Sequence, residues 1–203
     1  MADAQAAVRA GADAIGVLVG QEHPSSDFVR VEEAVRILRS VPPLVTPVLV
    51  THLTSSRDVV ELLCWTRAPV VQIHGDMAPE AFARVRESAP WVKILKAYHV
   101  NGPGCLDDGE RFVDRVDAFV LDTFNPATGQ VGGTGVTHDW EISRRIAERY
   151  RCPIILSGGL SAENVAAAIE AVHPFGVDAN TGTKGEDGFK DPEKMRAFVR
   201  ATQ

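Results

Sequence analysis

The residues of this chain able to do chemistry gather at the carboxyl ends of its apolar runs. Gln72 and His74 close one run, Lys96 and His99 another, and Asp122 a third. Ser157-Gly158-Gly159 closes a fourth, and Asp178-Asn180-Thr181-Gly182 the last. The opposite ends are mainly Pro, Ala and aliphatic. Read singly, His74 or His99 is a core histidine, Lys96 a solvated strand end and Gly158-Gly159 a turn. Gathered at one end, they describe a ligand site. The sharpest local pattern is SGGLSAENV (157–165). Two glycines let the backbone turn tightly from strand to helix, and a helix N-terminus offers unpaired N–H groups and the positive end of its dipole. A phosphate binds such a turn without any Lys or Arg. Gly182, in NTGTKGEDGFKD (180–191), exposes further backbone N–H groups toward the same anion. GQVGGTGVTHDW (129–140) is a glycine-rich loop that either moves as a lid or lets backbone approach a ligand.

Ligands of parallel α/β folds bind at the carboxyl ends of the strands, so these residues demand a parallel sheet. The sequence supplies one. AIGVLV (14–19), LVTPVLVTHL (44–53), PVVQIHG (69–75), WVKILKAYHV (91–100), AFVLDT (118–123), PIILSGG (153–159) and FGVDANTG (175–182) are nearly continuous apolar runs. Such runs predict strands buried on both faces. Helical patterns separate them: 2–11, 31–41, 55–66 behind Ser55, 78–88 with Pro79 in its first turn, 161–172 capped by Ser161, and 191–202 with Asp191 and Pro192 at its start. Repeated strand–helix units give a doubly wound sheet or a (β/α)8 barrel. There is no G-x-G-x-x-G after a first strand, and no linker splits the chain. The 203 residues predict a single domain at the lower end of barrel lengths.

Composition narrows the partners. With 21 Lys+Arg against 27 Asp+Glu and a formal charge of -6, the chain lacks the basic face that nucleic acid or an anionic membrane needs. No apolar run is long enough to span a bilayer, and the start lacks the pattern of a signal peptide. Cys64, Cys105 and Cys152 are too few and scattered for a disulfide framework or a zinc site, so no metal is expected and a reducing, cytoplasmic setting is.

Several segments together resemble the phosphoribosylanthranilate isomerase family of tryptophan biosynthesis. They are AGADAIGVLV (10–19), VVQIHGD (70–76), VLDTFNPATGQVGGTGVTHDW (120–140), ILSGGLSAENV (155–165) and FGVDANTGTKGEDGFKD (175–191), in the family's order. The resemblance implies a (β/α)8 TIM barrel over 1–203, lacking its first β-strand. It implies a metal- and cofactor-free Amadori rearrangement of N-(5-phosphoribosyl)anthranilate, an aldose–ketose isomerisation. A general acid protonates the furanose oxygen to open the ring, and a base then removes the C2 proton. By resemblance Asp122 is the acid, and its place after the apolar AFVL predicts burial and a raised pKa. The phosphate would sit on Gly158, Gly159, Thr181 and Gly182, with Gly133 and Gly135 lining the loop nearby. Asp178 matches a position near the reacting sugar, and His74 is a further substrate contact.

The chain departs from the family in two places. The family's first strand, with its Lys-Ile-Cys-Gly and the Cys that serves as base, is absent, and none of the three thiols inherits that role by alignment. In EHPSSDFVR (22–30), Ser26 or Asp27 stands where the family has an Arg for the anthranilate carboxylate, with Arg30 a substitute only if the loop shifts. Three readings follow. One is an isomerase whose start lies upstream. Another is a catalytically impaired or re-purposed sugar-phosphate binder. The third is an isomerase of another aglycone, with Asp178 or His74 as base. Two strands left without neighbours, 14–19 and 175–182, predict lower stability or pairing with a second copy as a homodimer.

Overall fold

The computed structural model describes residues 1–20, 27–125, 130–131 and 137–203. These residues fall into two compact units, one of residues 1–97 and 114–117, the other of 98–113 and 118–203.

In the first unit, α1 (Ala2–Ala10) leads into β1 (Ala14–Leu18), then α2 (Val31–Ser40), β2 (Thr46–Thr51), α3 (Ser56–Thr66), β3 (Val70–Ile73) and α4 (Pro79–Ser88); β4 (Lys93–Val100) begins in this unit. β1 to β4 pair in chain order and in parallel, with Val17 beside Leu49, Leu49 beside Val71 and Val71 beside Ile94. Leu49, Val71, Ile73 and Ile94 are fully buried, so the long apolar runs are strands covered by helices. The outer edge of β1 is partly covered. Val19 donates to Val50 of β2, so the Leu18 carbonyl of the same peptide points the other way. It accepts there from the Val29 N–H at 3.0 Å.

The second unit carries β5 (Ala118–Asn125), β6 (Gln130–Val131), α5 (Trp140–Arg149), β7 (Ile154–Leu156), α6 (Val165–Val172), β8 (Gly176–Val177) and α7 (Pro192–Ala201). β5, β7 and β8 are parallel neighbours, while β6 turns back antiparallel on the end of β5. Phe119 packs edge-on against Tyr98 and Tyr150, anchoring β5 to its helical cover.

The seven apolar runs each contain one parallel strand. The helices differ from expectation in two places. The helix expected at 161–172 begins at Val165, and Ser161 does not cap it. Instead the Asn164 side chain accepts from the Ser161 N–H at 2.9 Å and donates to the Gly159 carbonyl at 3.0 Å. Those bonds stabilise a turn that competes with helix over 161–164. α5 was not foreseen, because its stripe is carried chiefly by Ile142 and Ile146. It forms behind Asp139, whose carboxylate accepts from the Glu141 N–H at 2.9 Å.

Within the first unit, Asp117 works as a clamp at the amino end of β4. Its carboxylate accepts from the Ile94 N–H at 2.9 Å, from Arg86 at 2.9 Å and from Lys93 at 3.0 Å. Burial alone would raise this carboxyl, but the Ile94 amide, Arg86 and Lys93 outweigh it and hold it below the usual carboxylate range. A depressed carboxyl contributes stability above its unfolded pKa and loses it as pH falls through the folded value. Asp117→Asn is therefore expected to cost about 2 kcal/mol near neutrality. The cost should shrink as urea denaturation is repeated at progressively acid pH. A loss that is the same at every pH would show that the charge of Asp117 is not what makes the clamp.

Candidate active site

Asp122 is built into the end of β5 by strand alternation. Phe119 faces the aromatic cover, and Leu121 and Thr123 follow it on that face. Asp122 therefore points to the opposite side, yet it is only 7% exposed. Its Oδ1 accepts from the Thr123 N–H at 2.7 Å, which fixes the carboxyl against its own backbone. On the helical side, the Thr123 hydroxyl lies 3.1 Å from Nδ1 of His138, and His138 Nε2 lies 2.6 Å from the Ser143 hydroxyl. Burial pushes His138 down to about 4, with Asp122 and Asp139 pulling it back up, so the ring is neutral at physiological pH.

Beside β5 runs β7, which ends in Ser157, Gly158 and Gly159. The Ser157 N–H donates to the Leu121 carbonyl at 2.8 Å, and its hydroxyl donates to Asp178 at 3.0 Å. Gly158 and Gly159 both take left-handed backbone, with φ of 83° and 67°. Gly158 also has no room for a side chain: an added Cβ would lie 2.2 Å from the Thr123 hydroxyl oxygen. After β8, Thr181 and Gly182 sit in a 3-10 turn. An added Cβ on Gly182 would lie 2.1 Å from the Leu160 carbonyl oxygen. Lys190 ties this turn down, donating to the Asn180 carbonyl and to Thr183 Oγ1, each at 2.8 Å. Backbone turns without side chains beside a buried carboxyl suit an anionic sugar ester.

The second unit thus holds Asp122, Ser157, Gly158, Gly159, Asp178, Thr181 and Gly182 on its strand ends. Gly133 and Gly135 lie outside the described residues, as does Ser26. His74 belongs to the first unit, where it is 7% exposed and stacks on His52 with ring centroids 4.5 Å apart. Phe28 meets His52 edge-on. Lys96 is not a solvated strand end. It shares its strand face with Ile94 and Tyr98, is 5% exposed, and donates to the Ala97 carbonyl at 2.6 Å. Burial pushes its ammonium down to about 8, with Asp76 pulling it up. Of the thiols, Cys64 is exposed, and burial pushes Cys105 and Cys152 up, away from the thiolate form. Sequence reasoning missed Thr123, His138, Asn164 and Lys190 as organisers of the turns, and His52 as the partner of His74. The only sequence signal for His138 and Asn164 was their place inside the quoted motifs.

Parallel strands in chain order, alternating with helices and carrying their polar groups at the carboxyl ends, define an enzyme-like α/β fold of the (β/α)8-barrel class. Solved structures agree. Phosphoribosylanthranilate isomerase from Thermotoga maritima superposes with a TM-score of 0.84 at 29% identity, covering 98% of this chain and 92% of that one. An isomerase solved in complex with reduced 1-(o-carboxyphenylamino)-1-deoxyribulose 5-phosphate superposes with a TM-score of 0.82 at 27% identity, over 98% and 92% of the two chains. Another Thermotoga maritima structure, at 28% identity over 98% and 92% and a TM-score of 0.79, is described as monomers generated from a dimeric enzyme. N-(5'-phosphoribosyl)anthranilate isomerase 2 of Methanosarcina mazei is 45% identical over 197 residues, 97% of this chain and 87% of that protein. The model of the N-(5'phosphoribosyl)anthranilate (PRA) isomerase family matches residues 1–201. The chain belongs to the phosphoribosylanthranilate isomerase family.

The two glycine types of this region separate by experiment. Gly188 has a φ of 80° but open space around it, whereas Gly158 has both a positive φ and Thr123 against it. Gly188→Ala should cost about 1 kcal/mol for the backbone alone. Gly158→Ala should cost about 2–4 kcal/mol, since crowding adds to the backbone strain. Equal losses in urea denaturation would mean that the packing on Thr123 is not what demands glycine.

Proposed function

We propose that this chain isomerises N-(5'-phosphoribosyl)anthranilate to the corresponding 1-deoxyribulose 5-phosphate in tryptophan biosynthesis. Membership of the family over residues 1–201 supports the reaction. The single observation that carries the assignment of roles is Asp122, buried at a strand end and held by Thr123 in the same unit as both glycine turns. In this reading the phosphate binds the backbone amides around Gly158, Gly159, Thr181 and Gly182. Those amides bind an anion without adding net positive charge, in keeping with an acidic chain. Asp122 in its acid form gives its proton to the furanose ring oxygen. The C1–O bond breaks, and the anilino nitrogen lone pair forms the C=N bond of a Schiff base. A base takes the C2 proton, and the electron pair moves to give the enolamine. Return of a proton to C1, with loss of the proton from the C2 hydroxyl, gives the ketone. Atoms and electrons balance within the substrate, with only protons exchanged.

Cys105 and Cys152 are poor bases here, because burial favours the neutral thiol. Asp178, held by Ser157, is the carboxylate this reading gives to the C2 proton. The substrate is a small sugar phosphate, and a second copy of the chain is the expected protein partner. The dimeric relative supports that expectation.

Conversion of the N-glycosyl anthranilate to the 1-deoxyribulose phosphate is followed by separating substrate and product. The chain is expected to turn over phosphoribosylanthranilate, and Asp122→Asn to lower kcat by about a hundredfold or more with little change in KM. An Asp122→Asn variant within a few fold of the parent would remove Asp122 from the acid role.

A further inference from the structure

The side chains behind Asp122 form a part-buried hydrogen-bonded line that the proposed reaction does not itself use. Ser143 is fully buried on α5, and its hydroxyl lies 2.6 Å from His138 Nε2. His138 Nδ1 lies 3.1 Å from Thr123 Oγ1, and Thr123 is 4% exposed. The Thr123 N–H donates to Asp122 Oδ1 at 2.7 Å. A neutral imidazole has one N–H and one lone pair, so it donates to one hydroxyl and accepts from the other. Both ring nitrogens are thereby satisfied in a place where an unpaired polar atom would be costly.

The same contact reaches the phosphate turn. The missing Cβ of Gly158 would lie 2.2 Å from Thr123 Oγ1, 2.9 Å from Thr123 N and 3.2 Å from His138 Nδ1. Gly158 is therefore seated directly on the Thr123–His138 pair. Any swing of the Thr123 side chain moves against that turn, and any shift of its backbone moves the N–H that holds Asp122.

We propose that His138 is a positioning residue for the isomerisation: by locking Thr123, it keeps the Asp122 carboxyl and the Gly158–Gly159 turn in one fixed relation. The proposal rests on the isomerase reading for its reaction, but its reach to the turn is measurable with inorganic phosphate alone. His138 touches no reacting atom in this role. It acts through Thr123. Burial, which keeps the ring neutral against the pull of Asp122 and Asp139, supports a fixed hydrogen-bonding part over a proton-transfer part.

The test uses His138→Phe, His138→Asn, His138→Gln, Thr123→Val and Ser143→Ala in the full chain. For each, kcat and KM with phosphoribosylanthranilate, the dissociation constant of inorganic phosphate and the melting temperature are measured. Asn places its amide near the position of Nδ1 and keeps the link to Thr123; Gln reaches instead toward Ser143. His138→Phe should lower kcat and weaken inorganic phosphate binding, each by about tenfold. His138→Asn should recover most of both losses, and His138→Gln should not. Thr123→Val combined with His138→Phe should be no worse than the poorer single variant, because both cut the same link. Ser143→Ala, which cuts only the outer link, should show the same pattern more weakly.

Variants that melt earlier but keep kcat, KM and phosphate affinity within about twofold would overturn the proposal and leave His138 a plain core residue. Equal recovery by Asn and Gln, or additive losses in the double variant, would also overturn it. If the parent chain fails to turn over the substrate, the isomerase reading falls. The phosphate measurements then still decide whether His138 controls the turn.

Discussion

The second unit depends on a turn pressed from both sides. Gly158 lies so close to Thr123 that a methyl group there would meet its hydroxyl at 2.2 Å, and Gly182 lies so close to Leu160 that a methyl group would meet its carbonyl at 2.1 Å. The end of β5, the turn after β7 and the loop after β8 can meet this way only if two positions carry no side chain. Asn164 and Lys190 hold the two loops in place. A site of this kind is stiff before any ligand arrives, which is the condition under which oriented dipoles act best on an anion or a developing charge.

The opposite ends of the strands have different work. Asp117, Arg86 and Lys93 hold the amino end of β4 through charge-assisted bonds, and buried aliphatic side chains fill the layers between strand and helix. Lys96, by contrast, reaches past the carboxyl end of β3, where its ammonium donates to the Gly75 carbonyl at 3.4 Å as well as to the Ala97 carbonyl at 2.6 Å. The division matches the general separation in parallel α/β folds between a stabilising end and a reactive end.

Much of this was legible in the sequence, for physical reasons. Runs such as VVQIHG and AFVLDT announce strands because both of their faces are covered, and a polar residue ending such a run has to be at its rim. Asp122 could be picked out that way, and the glycine turns by their lack of side chains. The start of α6 was misread because Ser161 is a good cap by type, while the Asn164 side chain creates a turn that only a three-residue contact reveals. α5 escaped notice because two isoleucines make a thin stripe. Thr123 and His138 are 15 residues apart, so their bond is a product of packing that no local pattern encodes. The β1 edge, expected to be bare, is partly covered by Val29, a contact that no local pattern encodes either.

In the proposed reading, backbone amides at the two glycine turns hold the ester's anion beside Asp122. A crystal structure of the chain with reduced 1-(o-carboxyphenylamino)-1-deoxyribulose 5-phosphate, the ligand of a solved relative, tests it most directly. Phosphate oxygens are expected within about 3 Å of backbone N–H groups at Gly159 and Gly182, and the Asp122 carboxyl within hydrogen-bond reach of a sugar oxygen. A phosphate held instead by lysine or arginine side chains away from those turns would contradict it.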